Sequence, residues 1–271
     1  MNDVTLVIQG PISKRLSNGL AKGIRHIETY CKFGRVIVST WDSHGIKPSK
    51  KFLAKHNITL IEANPDDYKH MYNSYNINYQ VASTLNGLKK VTTKYAIKLR
   101  SDEYYSDLSK FIKKIKDNPE KIVANNVFFR EDSYEAFHPS DHVIGGTTEN
   151  MLGMFNYAFV MCQREFGKAV LTSDYFNIPR QEWKDHHTDV GEFVKRGEIC
   201  PEVFLCFSYL LSKGVKLDLS KSKEIMKKHF DVVPVADMGK CVCKAGINSS
   251  RQEFQWGGKV INSMEELCPK F

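Results

Sequence analysis

The stretch Lys94-Tyr-Ala-Ile-Lys-Leu-Arg-Ser-Asp-Glu-Tyr-Tyr105 decides the fold class, because an apolar β-type run ends there directly in charged side chains. Arg100 and the adjacent carboxylates Asp102 and Glu103 follow the run. In α/β proteins ligands bind at the carboxyl ends of strands, where loops open outward from the sheet. Carboxylate oxygens suit Mg²⁺ or Mn²⁺, and a guanidinium beside them can offset phosphate charge. The alternative is a solvated acidic pair at the start of a helix predicted over 107–116.

Strands alternate with helices outward from this stretch. Predicted strands cover 4–8, 35–40, 58–61, 94–99, 122–129, 158–162 and 215–217, and predicted helices cover 16–31, 50–55, 68–89, 107–116 and 202–211. Such alternation indicates a mostly parallel sheet with helices on both faces. We expect one α/β domain over residues 1–271. Its regular half, 1–110, is of a nucleotide-binding type, and its irregular half, 111–271, would shape a second substrate.

The composition is that of an ordinary soluble enzyme with a basic surplus. The 271 residues suffice for one large core, and hydrophobic and charged residues make up 42% and 26%. A net charge of +8 favours anionic partners such as nucleotide diphosphates or phospholipid surfaces. The lysines are spread along the chain without Arg/aromatic interleaving, so we do not expect nucleic acid as a partner.

Cysteine usage and hydropathy predict the compartment. The seven cysteines are irregularly spaced, and Cys241 and Cys243 lack a second ligand pair for zinc. A reduced, cytoplasmic location is therefore expected. No charged-then-apolar leader precedes the first strand, and no apolar window approaches 18 residues. If the product is membrane-bound, we expect peripheral contact with a membrane surface rather than a span.

Several segments occur together in a familiar order. They are Val4-Thr-Leu-Val-Ile-Gln-Gly-Pro-Ile12, Val36-Ile-Val-Ser-Thr-Trp41, Asn76-Ile-Asn-Tyr-Gln80 with Ser83-Thr-Leu-Asn-Gly-Leu88, and Tyr95-Ala-Ile-Lys-Leu-Arg-Ser-Asp-Glu103. This order resembles the WavE family of lipopolysaccharide-synthesis proteins, regarded as glycosyltransferases of the GT-A fold. The resemblance covers roughly the first 110 residues, with a looser echo at 137–142 and 201–205. It implies a GT-A-like sheet and transfer from a nucleotide-sugar donor, by family habit a UDP-sugar, to a glycan, glycolipid or glycoprotein acceptor.

The resemblance also implies a metal site. Ser101-Asp102-Glu103 stands where GT-A enzymes carry the D-x-D element that binds a divalent cation and the donor diphosphate. Asp102 and Glu103 are thereby implied as ligands of Mn²⁺ or Mg²⁺. Ser101 departs from a strict D-x-D, so which carboxylate touches the metal stays open. His229 lies late in the chain, where many GT-A enzymes place a third ligand.

Polar residues near the predicted strand ends are candidates for the donor. In a GT-A fold the Gln9-Gly10 turn would border the nucleoside; the alternative is an ordinary turn. Asn76 and Gln80 are four apart and share a helix face, where amides can bind a base or ribose or simply be solvated. Asp42 follows the second strand and is a further candidate. For the phosphates we favour Arg100 over Lys98, because Arg100 adjoins the carboxylates.

Sugar transfer needs a base or a charge stabiliser near the anomeric carbon. Glu202 follows Pro201 and opens a predicted helix, although an acid there can also simply stabilise the first turn. Asp141 lies in a loop between His138 and His142, and Asp185 and Asp189 are further candidates.

Two rival functions remain. A sugar nucleotidyltransferase would carry a phosphate loop after the first strand, which Ser13-Lys14-Arg15 imitates only weakly. A non-catalytic, basic surface-binding module would bind anionic polymers or lipid without binding nucleotide-sugars.

Overall fold

A seven-stranded, mostly parallel sheet flanked by helices forms the centre of the molecule. The computed structural model describes residues 3–12, 23–43, 45–73, 75–130, 136–163, 200–242, 254–255, 258–259 and 261–267. The strands in this part of the chain are β1 Val4–Gln9, β2 Arg35–Trp41, β3 Ile58–Ala63, β4 Tyr95–Arg100, β5 Tyr104–Tyr105, β6 Ile122–Asn125, β7 Ile144–Thr147, β8 Phe230–Val233, β9 Cys241–Val242, β10 Phe254–Gln255 and β11 Gly258–Lys259. The α/β prediction is confirmed.

The strand order is β3-β2-β1-β4-β7-β6-β8, and β7 runs antiparallel to both of its neighbours. Strand β1 is central, and its last residue, Gln9, is in register with Ser39 of β2 and Arg100 of β4. The carboxyl ends of these parallel strands therefore meet at one edge of the sheet, called the carboxyl edge below. Strands from both predicted halves of the chain enter this sheet.

Helices cover both faces of the sheet. They are α1 Gly23–Tyr30, α2 Lys50–His56, α3 Ile77–Leu88, α4 Ser109–Asp117, α5 Thr148–Gln163, α6 Pro201–Ser212, α7 Ser222–His229 and α8 Met264–Leu267. Alternate residues of β1 enter different cores, as the period of a strand requires. Leu6 and Ile8 pack in the core that contains residues of α1 and α4, whereas Val7 packs in the core that contains residues of α3, α5 and α6.

Four local predictions differ from the structure. The helix predicted from Tyr68 is interrupted: a 3₁₀ turn covers Pro65–Tyr68, and α3 begins only at Ile77. The reason is a backbone break at Tyr75 and Asn76, whose φ angles are 50° and 64°. The predicted strand 158–162 lies inside α5, because an apolar run of that length fits either element. Residues 215–217 form no strand, and β7 begins at Ile144, although the Pro, Gly and His residues of 137–146 predict a loop there.

Within the described residues, every helix is too short or too polar to cross a membrane.

Candidate functional site

Ionisable side chains from three separate segments and an amide from a fourth meet at the carboxyl edge. Lys98 and Arg100 end β4, and Asp102 and Glu103 follow directly. The loop before β7 contributes Asp141 and His142. Gln80 comes from α3, and Glu202 comes from α6. The structure thus brings together five residues predicted individually from the sequence: Gln80, Arg100, Glu103, Asp141 and Glu202.

Arg100 engages both members of the acidic pair. Its Nε and Nη2 atoms each donate to one carboxylate oxygen of Asp102, both at 3.0 Å, and Nε lies 3.5 Å from Glu103 Oε1. Burial works to lower the pKa of Arg100, but Glu103 and Asp102 outweigh it and raise that pKa above its usual value. The guanidinium is therefore permanently charged at the edge where a phosphate would bind.

The residues predicted to bind a cation do not fit one site in this arrangement. Asp102 offers both oxygens to Arg100, and buried Glu103 accepts from Tyr105 at 2.8 Å and contacts His142. His229 ends α7 just before β8, whose first residue pairs with the first residue of β6. It therefore lies at the opposite edge of the sheet and does not join the acidic pair. Participation of Mn²⁺ or Mg²⁺ stays a prediction.

Glu103 and His142 form a buried pair. The carboxylate contacts the Nδ1 atom of His142, whose ring also packs 5.3 Å from the Phe128 ring. Burial lowers the pKa of His142, but attraction to Glu103 outweighs it, and the pKa lies above its usual value. Glu103 therefore orients the imidazole and leaves its Nε2 atom directed toward Asp141, at 3.8 Å from Oδ1.

Asp141 is held from two sides. Gln80 donates to its Oδ2 atom, and the Lys98 ammonium contacts its backbone carbonyl. Burial raises the pKa of Asp141, but Lys98, His142 and Arg100 together lower it below its usual range. Lys98 is itself fully buried, and this burial lowers its pKa to about 8. Asp141 is thus an ionised carboxylate with one oxygen, Oδ1, turned away from Gln80.

Glu202 begins α6 beside this pair. Its carboxylate lies 3.9 Å from His138 Nε2, and its side chain is 15% exposed. Burial, reinforced by the charge of Asp141, raises the pKa of Glu202 to about 7. A carboxyl group with such a pKa can hold or release a proton near neutral pH, which is what acid–base catalysis requires.

The residues predicted to border the nucleoside surround the same edge. Buried Gln9 accepts from Ser83 at 3.0 Å, and Gly10 has a φ of +100°, where a Cβ would lie 3.2 Å from Ser101 Oγ. Asp42 directly follows β2 and is exposed. Asn76 precedes α3 and is exposed, and its side chain makes no capping bond. Asn76 and Gln80 therefore differ in role, because Gln80 is buried against Asp141.

Unusual backbone angles also concentrate here. Tyr75 and Asn76 precede α3, and Phe128 and Phe137 lie in the chain between β6 and β7; all four have positive φ angles between 50° and 64°. Each such residue costs about 1–3 kcal/mol, and strain of this kind clusters at functional sites. Phe128 contacts His142, and Phe137 precedes His138, so the strain lies next to the ionisable cluster.

Two members of the cluster were missed by sequence reasoning. The sequence favours Arg100 over Lys98, yet residues two apart on a strand share a face, and both reach the site. Nothing in the sequence marks His142 beyond its place next to Asp141. The candidates Asp185 and Asp189, and the Ser13-Lys14-Arg15 stretch, lie outside the described residues.

The fold and the site together define an α/β protein with a buried ionisable cluster at the ligand-binding edge of a mostly parallel sheet. The chain belongs to the WavE lipopolysaccharide synthesis family, which matches residues 4–187. This membership confirms the resemblance noted in the sequence and connects the chain with lipopolysaccharide synthesis.

Two solved structures match the chain at 14% identity. HddC from Yersinia pseudotuberculosis has a TM-score of 0.33 over 56% of this chain and 79% of its own. A cytidylyltransferase from Leptospira borgpetersenii has a TM-score of 0.37 over 84% of this chain and 95% of its own. No curated protein matches the chain. Function is therefore argued from the family and the site.

Proposed function

We propose that the protein is a glycosyltransferase that moves a sugar from a nucleotide-sugar donor to a glycan, glycolipid or glycoprotein acceptor in lipopolysaccharide synthesis. One observation carries the proposal: Glu202, with a pKa near 7, lies beside ionised Asp141 at the carboxyl edge of the sheet. Membership of a lipopolysaccharide synthesis family supports a nucleotide-sugar related enzyme. A UDP-sugar is the expected donor, following the resemblance.

The charges of the site suit the two halves of such a donor. Arg100, held by Asp102, would offset the developing charge of the diphosphate and keeps its proton throughout the physiological pH range. Gly10, Asp42 and Asn76 lie where the nucleoside would bind. Gln9 and Gln80 act there by positioning, because Ser83 and Asp141 already hold their side chains.

In the proposed step, the bond between the anomeric carbon and the diphosphate oxygen breaks, and its electron pair leaves with the diphosphate. The acceptor oxygen bonds to the anomeric carbon, and its hydroxyl proton passes to Glu202. Asp141 stays ionised beside the positive charge that develops on the sugar. Mn²⁺ or Mg²⁺ is the expected cofactor class.

A ligand panel tests the proposal. Thermal unfolding is followed with UDP, GDP, CDP and CMP and with the matching nucleotide-sugars, with and without Mn²⁺. We expect at least one nucleotide diphosphate and its sugar to raise the melting temperature by mass action. If no nucleotide or nucleotide-sugar binds, the proposal fails. It also fails if the protein releases pyrophosphate from a nucleoside triphosphate and a sugar phosphate, and in that case the nucleotidyltransferase alternative holds.

A matched pair of variants tests the role of Glu202. With the donor found in the panel, Glu202→Gln should lower kcat by about 100-fold or more while donor binding persists, because the proton acceptor is lost. Glu224 stands in the first turn of α7 and is exposed, so Glu224→Gln provides the same chemical change away from the site. Full activity of Glu202→Gln would contradict the assignment.

A further inference from the structure

The carboxylates of the site outnumber its cations. Asp102, Glu103, Asp141 and Glu202 face Lys98 and Arg100, as their mutual effects on one another's pKa values show. With His142 neutral and every carboxyl group ionised, two negative charges are left over. A divalent cation would neutralise this excess.

Three ligand atoms converge where that excess is greatest. Asp141, His142 and Glu202 each offer one carboxylate oxygen or imidazole nitrogen, and these atoms all lie within 4.8 Å of one another. Metal–ligand bonds of about 2.1 Å put ligand atoms about 3–4 Å apart, so side-chain adjustments of about 1 Å would close the group on an ion. Asp141 and His142 are buried, while Glu202 is partly exposed.

Two of these ligands, His142 and Asp141, are oriented by residues that would not contact the ion. Glu103 contacts His142 at Nδ1, which directs Nε2 to the centre, and Gln80 holds Asp141 by Oδ2, which leaves Oδ1 facing His142 Nε2 at 3.8 Å. A carboxylate behind a histidine and a hydrogen-bonded carboxylate ligand are the usual outer supports of metal centres. The 93% buried His142 therefore aims a nitrogen that Glu103 does not use into the cluster.

We infer that Asp141, His142 and Glu202 form a binding site for one divalent first-row metal ion, Mn²⁺ or Zn²⁺, with Glu103 as the carboxylate that orients His142. One imidazole with two carboxylates suits these ions better than Ca²⁺. Asp102 and Glu103 are then not ligands of the ion; Glu103 orients His142, and Asp102 holds Arg100. The pKa near 7 of Glu202 describes the metal-free protein, because a carboxylate that binds a cation is held ionised. Ion binding does not rest on the proposed function.

Binding is measured on the full chain without nucleotide, so its outcome is separate from that of the ligand panel. Chelator-treated protein is titrated with MnCl₂ while electron paramagnetic resonance reports free Mn²⁺, and Zn²⁺ is then added as competitor. We expect saturation at about one Mn²⁺ per chain, displaced by Zn²⁺. Glu202→Gln should weaken binding by about 100-fold or more, and Glu103→Gln by about 10–100-fold, since outer partners contribute that much.

Three controls make the result decisive. Glu224→Gln and His229→Gln should leave Mn²⁺ affinity unchanged, because both residues lie outside the proposed ligand set, and Asp102→Asn, which removes a charge but no ligand, should weaken binding less than Glu202→Gln does. Circular dichroism checks that each variant is folded, and Glu202→Gln keeps the test valid if a buried His142→Gln variant unfolds. Absence of stoichiometric Mn²⁺ binding overturns the inference. So does loss of binding in Asp102→Asn with retention in Glu202→Gln.

Discussion

Glu202 differs from the other acids of the cluster in its partners. Asp102 is held by Arg100, Glu103 contacts His142, and Asp141 lies against Lys98. Among the described residues, the ion-pair partner of Glu202 is His138, at 3.9 Å, and its own backbone N–H group also donates to it. Burial next to the charge of Asp141 is therefore not offset by a close cation, which explains why its pKa rises while that of Asp141 falls.

This difference predicts a pH-dependent stability. The pKa of Glu202 is raised from 4.5 to about 7, so between these values the folded protein binds more protons than the unfolded chain. The stabilisation is complete below pH 4.5 and is lost as the pH rises through about 7, by up to about 3 kcal/mol. In chelator-treated protein, urea unfolding at pH 5 and pH 8 should show this loss for the wild type and much less of it for Glu202→Gln.

Exposed Glu224 gives the control for that measurement. Glu224→Gln removes an acid of the same type and should keep the wild-type difference between pH 5 and pH 8. An unchanged difference in Glu202→Gln would show that this carboxyl group titrates normally in the folded protein and would remove the basis for its acid–base role.

Single residues were predictable where strand or helix position decided them. Arg100 ends a strand and Glu202 opens a helix, so both could be placed at an element end from the sequence. What they touch was not predictable, because the contacts of Glu103 with His142 and of Gln80 with Asp141 span 39 and 61 residues. The sequence predicts Glu103 as a metal ligand because no local pattern shows that it is buried against His142.

At the scale of elements, α3 is pressed closely onto the sheet at Gly87. A Cβ atom at this position would lie 2.3 Å from Val7 Cγ1 and 3.3 Å from Ser39 Cβ. Both contacts are on strands beside the site, and α3 also carries Gln80 and Ser83, which hold Asp141 and Gln9. The packing of one helix therefore positions side chains from two other segments.

Gly87→Ala should therefore destabilise the protein although alanine favours helices. Overpacking a core typically costs about 1–3 kcal/mol, more than the gain of about 1 kcal/mol in helix propensity. Urea unfolding measures the loss, and displacement of α3 should also weaken nucleotide or Mn²⁺ binding. Gly153 in α5 is the control, because a Cβ there meets nothing closer than 3.5 Å. Gly153→Ala should be neutral or stabilising, and an equal loss in both variants would contradict the packing argument.

The strands and helices of residues 1–110 were predictable, because strand segments there differ clearly from helix segments in length and composition. The runs at β1, β2 and β4 are short, β-branched and bounded by polar residues, and the structure has them within two residues of prediction. Strand β7 contains two glycines, and Gly145 lies so close to Ile115 that a Cβ would approach it to 2.6 Å. The glycines of β7 allow α4 to pack closely against it. Glycine-rich sequence without that packing information predicts a loop.

At the scale of the whole molecule, the two edges of the sheet differ in charge. The carboxyl edge carries the mixed-sign cluster, whereas His229 at the opposite edge lies among Lys121, Lys213 and Lys228. Burial and these three lysines all lower the pKa of His229. Part of the net charge of +8 is thus gathered away from the site, which the sequence, with lysines spread along its length, did not show.

We expect these three lysines to form the surface through which the protein contacts an anionic membrane. A lysine near an anionic bilayer contributes about 1 kcal/mol, so replacing Lys121, Lys213 and Lys228 by glutamine should weaken binding to phosphatidylglycerol vesicles by about 100-fold at low salt. Cosedimentation measures the binding, and neutral phosphatidylcholine vesicles should not bind. Replacing Lys50, Lys51 and Lys55 of α2 changes net charge equally and is the control. Equal losses in the two triple variants would mean that overall charge alone drives the contact, and absence of binding by the wild type would contradict it altogether.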